Sequence, residues 1–135
     1  MSHVREMLET HPATIQVDVD VLVRCIEACF DCAQTCNACA DACLAEPDVA
    51  TLVRCIALCQ SCSDVCNATG RLLGRQSQQV PTLIETLVEA CRAACRESGD
   101  ECEQHAGHHE HCRVCAEVCS ACVNACDALL RALSA

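Results

Sequence analysis

Eighteen of the 135 residues are cysteine, and they fall on a regular grid. Cys25, Cys29, Cys32, Cys36, Cys39 and Cys43 step 4-3-4-3-4, and Cys55, Cys59, Cys62 and Cys66 step 4-3-4. Cys112, Cys115, Cys119, Cys122 and Cys126 step 3-4-3-4, while Cys91, Cys95 and Cys102 form a sparser set. Steps of three and four keep side chains on one face of an α-helix. Sulfur therefore stands where a helix bundle ordinarily carries leucine. Thiols in such a row can ligate soft metal ions as thiolates, cycle through disulfides, or fill space as small hydrophobes.

Filling space accounts for one or two cysteines, not for eighteen in register. Ala, Val or Leu would pack as well without the oxidation hazard of a thiol. Disulfides fit poorly, because neighbouring side chains on a rigid helix rarely reach the required dihedral near about 90°. Cysteine density does exceed the roughly 8–10% that marks a disulfide scaffold in a short secreted chain. However, the opening residues from Met1 to Pro12 show no basic n-region, apolar h-region or small-residue cleavage site, and the expected compartment is the reducing cytoplasm. Dense cysteine there points to metal.

The elements that must hold these thiols are helices. Strand signals are absent: no period-2 alternation appears, Phe30 is the only aromatic residue, and alanine, the best helix former, is abundant. Prolines and glycines divide the chain into a short amphipathic opening (Val4, Met7, Leu8) and four blocks of about 25 residues. The first block runs from near Asp18 to Ala45. Pro47, in the turn Glu46-Pro47-Asp48, suits the first turn of a second helix reaching Leu73. Pro81-Thr82 opens a third that ends near His105, and after Gly107 a fourth covers Glu110 to Leu133. Short linkers make consecutive helices antiparallel. The expected fold is all-α, an antiparallel up-down-up-down four-helix bundle over residues 15–135, preceded by a segment 1–14 with a short helix.

Extending the register beyond the cysteines polarises the core. Leu22, Leu73, Ile84, Leu87, Leu129 and Leu133 converge at one end, while Leu52 precedes the cysteines of the second helix and Thr69 follows them. His105, His108, His109 and His111 gather at the other end, where they either sit in a solvated polar loop or touch metal. His105, His108 and His109 extend the seam and are carried as candidate ligands beside all eighteen cysteines. The first helix's cysteines span a wall about 27 Å long at about 1.5 Å per residue. Phe30, beside the seam, reads as outer packing or an oligomer contact.

Soft thiolates select Cu(I), Zn(II) or iron–sulfur clusters. Four thiolates around Zn(II) leave a charge of about −2 per site, and a buried row of such sites is costly to desolvate. The iron–sulfur spacing C-x2-C-x2-C-x3-C followed by proline is absent. Cu(I) carries one charge and accepts two thiolates. If each thiolate bridges two ions, the core is neutral at about one ion per cysteine, so charge balance favours copper.

The Cys-x3-Cys-x2-Cys pattern recurs in three of the four blocks, at Cys25-Cys29-Cys32, Cys55-Cys59-Cys62 and Cys115-Cys119-Cys122. In this the chain resembles the cysteine-rich four-helix-bundle copper storage proteins, in their cytosolic branch, from about Val21 to Leu133. The resemblance implies multiple Cu(I) ions bound along the bundle interior by the seam cysteines, entry at the histidine end, and a homotetramer. A copper chaperone is the candidate donor. The third block departs from the pattern, with Ser98-Gly99 interrupting its cysteines.

The remaining composition excludes other classes. A formal charge of −10 argues against nucleic-acid binding, which calls for basic patches. No run of about 18 apolar residues spans a membrane. Neither a Ser-His-Asp set nor a carboxylate pair stands out, so the chain reads as a non-enzymatic store. The rival readings are a redox, iron–sulfur or zinc thiolate protein, which predicts colour, activity or a zinc preference, and a structural bundle, which predicts no tight metal binding.

Overall fold

The computed structural model describes Ser2 to Ala135; Met1, the first residue of the segment 1–14, lies outside the described residues. Five α-helices follow one another: α1 (Val4–Glu9), α2 (Val19–Leu44), α3 (Val53–Leu73), α4 (Pro81–His105) and α5 (Glu110–Ser134). Helix α2 packs on α3, α3 on α4, α4 on α5 and α5 back on α2, which closes an antiparallel four-helix bundle. The short α1 lies against α2.

Local chemistry sets the helix ends. Asp18 caps α2, its carboxylate accepting from the backbone N–H of Asp20 at 2.8 Å and of Val21 at 3.4 Å. Pro81 begins α4, where its missing N–H costs nothing. Pro47 does not begin α3. The chain instead passes through a 3-10 turn at Val49–Thr51, in which the Thr51 hydroxyl donates to the Asp48 carbonyl at 2.8 Å, and α3 starts at Val53. This local side-chain bond offers the backbone an alternative to the α-helix and moves the helix start six residues beyond the proline.

The seam faces inward on all four long helices, and every cysteine is buried. Leu22, Leu73, Ile84 and Leu129 close one end of the core as expected, and burial of each stabilises the fold by about 1.5–3 kcal/mol. Two expectations change there. Val88, not Leu87, fills the α4 seam, and Leu87 is only half-buried. Ile84, Val88, Cys91 and Cys95 step 4-3-4, which keeps one face inward, whereas a step through Leu87 breaks the alternation. Leu133, in the last turn of α5, is likewise only partly buried. Leu52 adds a third change: it is fully buried at the histidine end, so aliphatic closure is not confined to the other end.

The outer contacts are few and specific. Ser63 donates to the Ala33 carbonyl at 2.7 Å, tying α3 to α2, and Arg92 pairs with Asp127 at 2.9 Å between α4 and α5. Phe30 lays its ring over Gly70, where an added Cβ would meet it at 3.0 Å, so it serves as outer packing between α2 and α3. Leu8 of α1 is buried against the bundle, whereas Met7 is 68% exposed and lies off the apolar face. Arg5 bridges α1 to Asp20 at 2.9 Å. Among the described residues no helix is long and apolar enough to cross a membrane.

Candidate metal centre

Helical register turns the cysteines inward, and the four-way packing brings their sulfurs into contact. Sulfur–sulfur separations of 3.4 to 4.0 Å connect most of the core. One continuous path runs from Cys29 to Cys91 (3.8 Å), Cys66 (3.7 Å), Cys62 (3.8 Å), Cys32 (3.9 Å) and Cys36 (3.8 Å). From Cys36 it continues to Cys115 (3.6 Å), Cys59 (3.9 Å), Cys102 (3.6 Å) and Cys55 (3.6 Å). All eighteen thiols are free; no disulfide links them.

These sulfurs gather in fours. Cys29, Cys91, Cys122 and Cys126 form one group, Cys32, Cys66, Cys95 and Cys122 a second, and Cys32, Cys36, Cys62 and Cys119 a third. Cys39, Cys59, Cys102 and Cys115 form a fourth, the ligand atoms in each lying within 4.8 Å of one another. With a metal–sulfur bond of about 2.3 Å, two sulfurs on one ion stand about 4 Å apart at trigonal and about 4.6 Å apart at linear geometry. The observed spacings suit shared soft ions with little rearrangement. Membership also overlaps, since Cys32 and Cys122 each belong to two groups, as bridging thiolates must.

Ser98 occupies the α4 seam position between Cys95 and Cys102. It is fully buried, and its hydroxyl donates to the Cys59 sulfur at 3.6 Å. The α4 wall is therefore continuous in shape but carries oxygen at this level. The path of sulfurs passes it through Cys36, Cys115 and Cys59 on the other three helices.

At the histidine end the side chains divide into two roles. His111, half-buried on the first turn of α5, places Nδ1 at 3.5 Å from the Cys39 sulfur and 3.6 Å from that of Cys112. Its Nε2 lies 2.8 Å from Glu46. With the Nε2–H donating to this carboxylate, the Nδ1 lone pair faces the sulfurs, the tautomer a metal ligand needs. Cys39, Cys43, His111 and Cys112 thus make a fifth group.

His109 is held differently: Nδ1 lies 2.7 Å from Glu46 and Nε2 2.9 Å from Asp48, so both nitrogens donate to carboxylates. The bond to Asp48, and then that to Glu46, pushes the His109 imidazolium pKa up, while His111 and His109 hold Glu46 below the usual carboxylate range. The two rings stack with centroids 5.5 Å apart. His105 pairs with the buried Glu101 at 2.9 Å, and Arg54 reaches the same carboxylate at 3.3 Å. His108 is exposed in the turn, because α5 begins only at Glu110 and the heptad register does not extend back across it. Of the four histidines, the one outside the extended register meets sulfur. Its signal in the sequence was adjacency to Cys112 in the first turn of a helix, which alternation of three and four does not register.

The charge of the core follows from burial. Among the described residues the buried polar side chains are Thr69, Ser98 and Glu101, with no cationic side chain among them. Burial pushes the Cys43 thiol up, and that of Cys112 up to about 11, since a lone thiolate there has no compensating charge. An ion that replaces each proton one for one keeps the core neutral.

The family model for the copper storage protein matches residues 18–131. The copper storage protein of Streptomyces lividans, solved with 10 copper equivalents, is 48% identical with a TM-score of 0.94, covering 96% of this chain and 98% of that one. A form of the Streptomyces lividans protein with one histidine replaced by alanine is 50% identical, with a TM-score of 0.86 over 87% of this chain and 98% of that one. The cytosolic copper storage protein of the same organism, carrying five coppers, is 50% identical with a TM-score of 0.82 over 83% and 93% of the two chains. No curated protein matches the chain. Family match, shared fold and sulfur-lined core agree: the chain belongs to the copper storage protein family.

Proposed function

We propose that this chain is a cytosolic store for Cu(I), holding up to about one ion per cysteine along the bundle core, and that it catalyses no reaction. The observation that carries this reading is the continuity of the sulfur core, in which free, buried thiols from four helices approach within 4.0 Å and, among the described residues, no cationic side chain is buried. A catalytic or redox centre uses one such cluster; a store uses all of them. The eighteen cysteines are the proposed ligands. His111 joins Cys39 and Cys112 at the histidine end, and the exposed His108 is positioned to meet a donor. His109 and His105 would have to leave their carboxylates before touching metal, so their part is to hold that end in place.

Each thiolate ligand is formed by loss of a proton, so uptake acidifies the medium and weakens at low pH. The family resemblance supports a homotetramer and a copper chaperone as donor; the exposed Leu44, Val53 and Leu83 give a multimer apolar surface to cover. The decisive experiment is an anaerobic titration of reduced chain with Cu(I) against a competing chelator. A count near the number of cysteines, with ultraviolet absorption and no visible colour, is expected. One or two ions per chain, or a preference for zinc, overturns the reading.

A further inference from the structure

Away from the sulfur core, a recess of about 420 Å³ lies between α1, α2 and the last turn of α3, and no thiol lines it. Its floor is apolar: Leu8 and Ile26 are buried beneath it, and Phe30 keeps 38% of its surface open there. Met7, 68% exposed, stands at its edge. Glycines keep the α3 side low. An added Cβ at Gly70 would strike the Phe30 ring at 3.0 Å, whereas one at Gly74 would meet only the backbone oxygens of Arg71 and Gly70, at 3.5 and 3.7 Å. The space above Gly74 is therefore open.

The charge around this recess runs against that of the chain. Among the described residues no carboxylate lines it, although the formal charge is −10. Arg71 and Arg75 stand on its rim one helical turn apart. Arg5, Arg54, Arg92 and Arg113 each pair with a carboxylate, while Arg71 and Arg75 pair with none among the described residues. Like charges at this spacing repel. The negative end of α3 favours a cation in its last turn, but the nearby carbonyls already have donors: Gln76 Nε2 donates to that of Leu73 at 2.7 Å, and Gln79 Nε2 to that of Arg75 at 3.2 Å. Both guanidinium groups are left to an anion from outside.

We propose that this recess is a second, metal-independent binding site that takes a small aromatic carboxylate. Its volume falls in the range of small-molecule sites, which combine an apolar lining with a few polar groups. A flat ring gains from each neighbour: edge contact with Phe30, the thioether of Met7, and a guanidinium plane on which to stack. The carboxylate accepts hydrogen bonds from Arg71 and Arg75. This site goes beyond copper storage and stands or falls separately from it.

Calorimetric titration of the reduced full-length chain with 2-naphthoate should give one site per chain. Arg71→Gln combined with Arg75→Gln should weaken binding about tenfold or more. Arg96→Gln combined with Arg131→Gln, which changes the net charge equally at exposed positions away from the recess, should leave it unchanged. Gly74→Leu fills the recess from a backbone with φ −73°, which any residue adopts, and should abolish binding. The uncharged 2-naphthalenemethanol should bind about tenfold more weakly than naphthoate. Equal binding of the two compounds, or equal loss in both double variants, would overturn the anion site, and tighter binding of decanoate would overturn its preference for a ring. Absence of naphthoate binding to the native chain would overturn the proposal outright; if Gly74→Leu also lowered self-association in sedimentation, the recess would belong to a second copy of the chain. Copper counts in the anaerobic titration should be the same in all these variants, so failure here leaves the storage reading intact.

Discussion

At Ser98 a hydroxyl stands in a row of thiols, in contact with Cys59 and Cys36 at 3.6 and 4.0 Å. A serine oxygen is a hard and weakly acidic ligand, so a soft ion does not use it. Ser98→Cys should therefore add a ligand in an existing gap and raise capacity by about one ion per chain in the anaerobic titration; an unchanged count would mean that the position does not meet metal. His109 makes a second residue-scale test, through pH. Glu46 and Asp48 are held below their ordinary values of 4.5 and 3.8, and His109 is held above 6.5. The carboxylates' contribution is present above their ordinary values and is lost as pH falls through the depressed ones. That of His109 is present below 6.5 and is lost as pH rises through its raised value. The network is thus complete between about pH 5 and about pH 6.5 and loosens on either side. Proton NMR of the metal-free chain should give His109 a pKa above 6.5 that falls in Asp48→Asn, and a native value at or below 6.5 would count against the network.

At the scale of the helices, α4 differs most from its partners, because it brings only three cysteines and needs other residues to hold its face inward. Ile84 and Val88 do so at one end, and Gly99 lets α4 approach α5 so closely that an added Cβ would stand 3.1 Å from that of Cys119. The 4-3-4 register makes a sharp prediction about size against position. Val88→Ala should destabilise the metal-free bundle by about 2 kcal/mol, whereas Leu87→Ala, which removes more carbon from a half-buried site, should cost about half as much or less. Chemical denaturation of the two variants decides it; an equal or greater cost at Leu87 would place the α4 seam one residue earlier.

For the whole molecule, two consequences follow from a core that is apolar when empty and neutral when full. Buried leucines at both ends and capped helices hold the bundle without metal, so the reduced, metal-free chain should already be helical by circular dichroism and melt cooperatively. A random-coil spectrum would show that copper is needed for folding. Copper should then raise the melting temperature further, since it binds the folded chain in preference. Exchange of one Cu(I) for one proton should also leave the net charge at −10 from empty to loaded, so anaerobic isoelectric focusing should find the two forms together. Zinc on four thiolates would instead add a charge of about −2 at each site.

Much of this molecule is legible in one dimension because a heptad row needs no knowledge of partners. Spacings of three and four determine that Cys25 to Cys43 share a face, whatever that face meets. Helix class, helix order, the inward seam and the softness of its ligands all follow from that periodicity and from thiol chemistry. Tertiary structure decided what periodicity does not encode: which side chains meet across the gaps between helices. It placed His111 on Cys39 and Cys112, tied His109 and His105 to carboxylates, sealed Leu52 into the histidine end and left a recess beside Gly74. Those choices depend on turn geometry near Pro47 and Gly107, on the start of α5 at Glu110, and on the competition of acidic groups for each imidazole nitrogen. They are distances between elements, and only the packed bundle sets them.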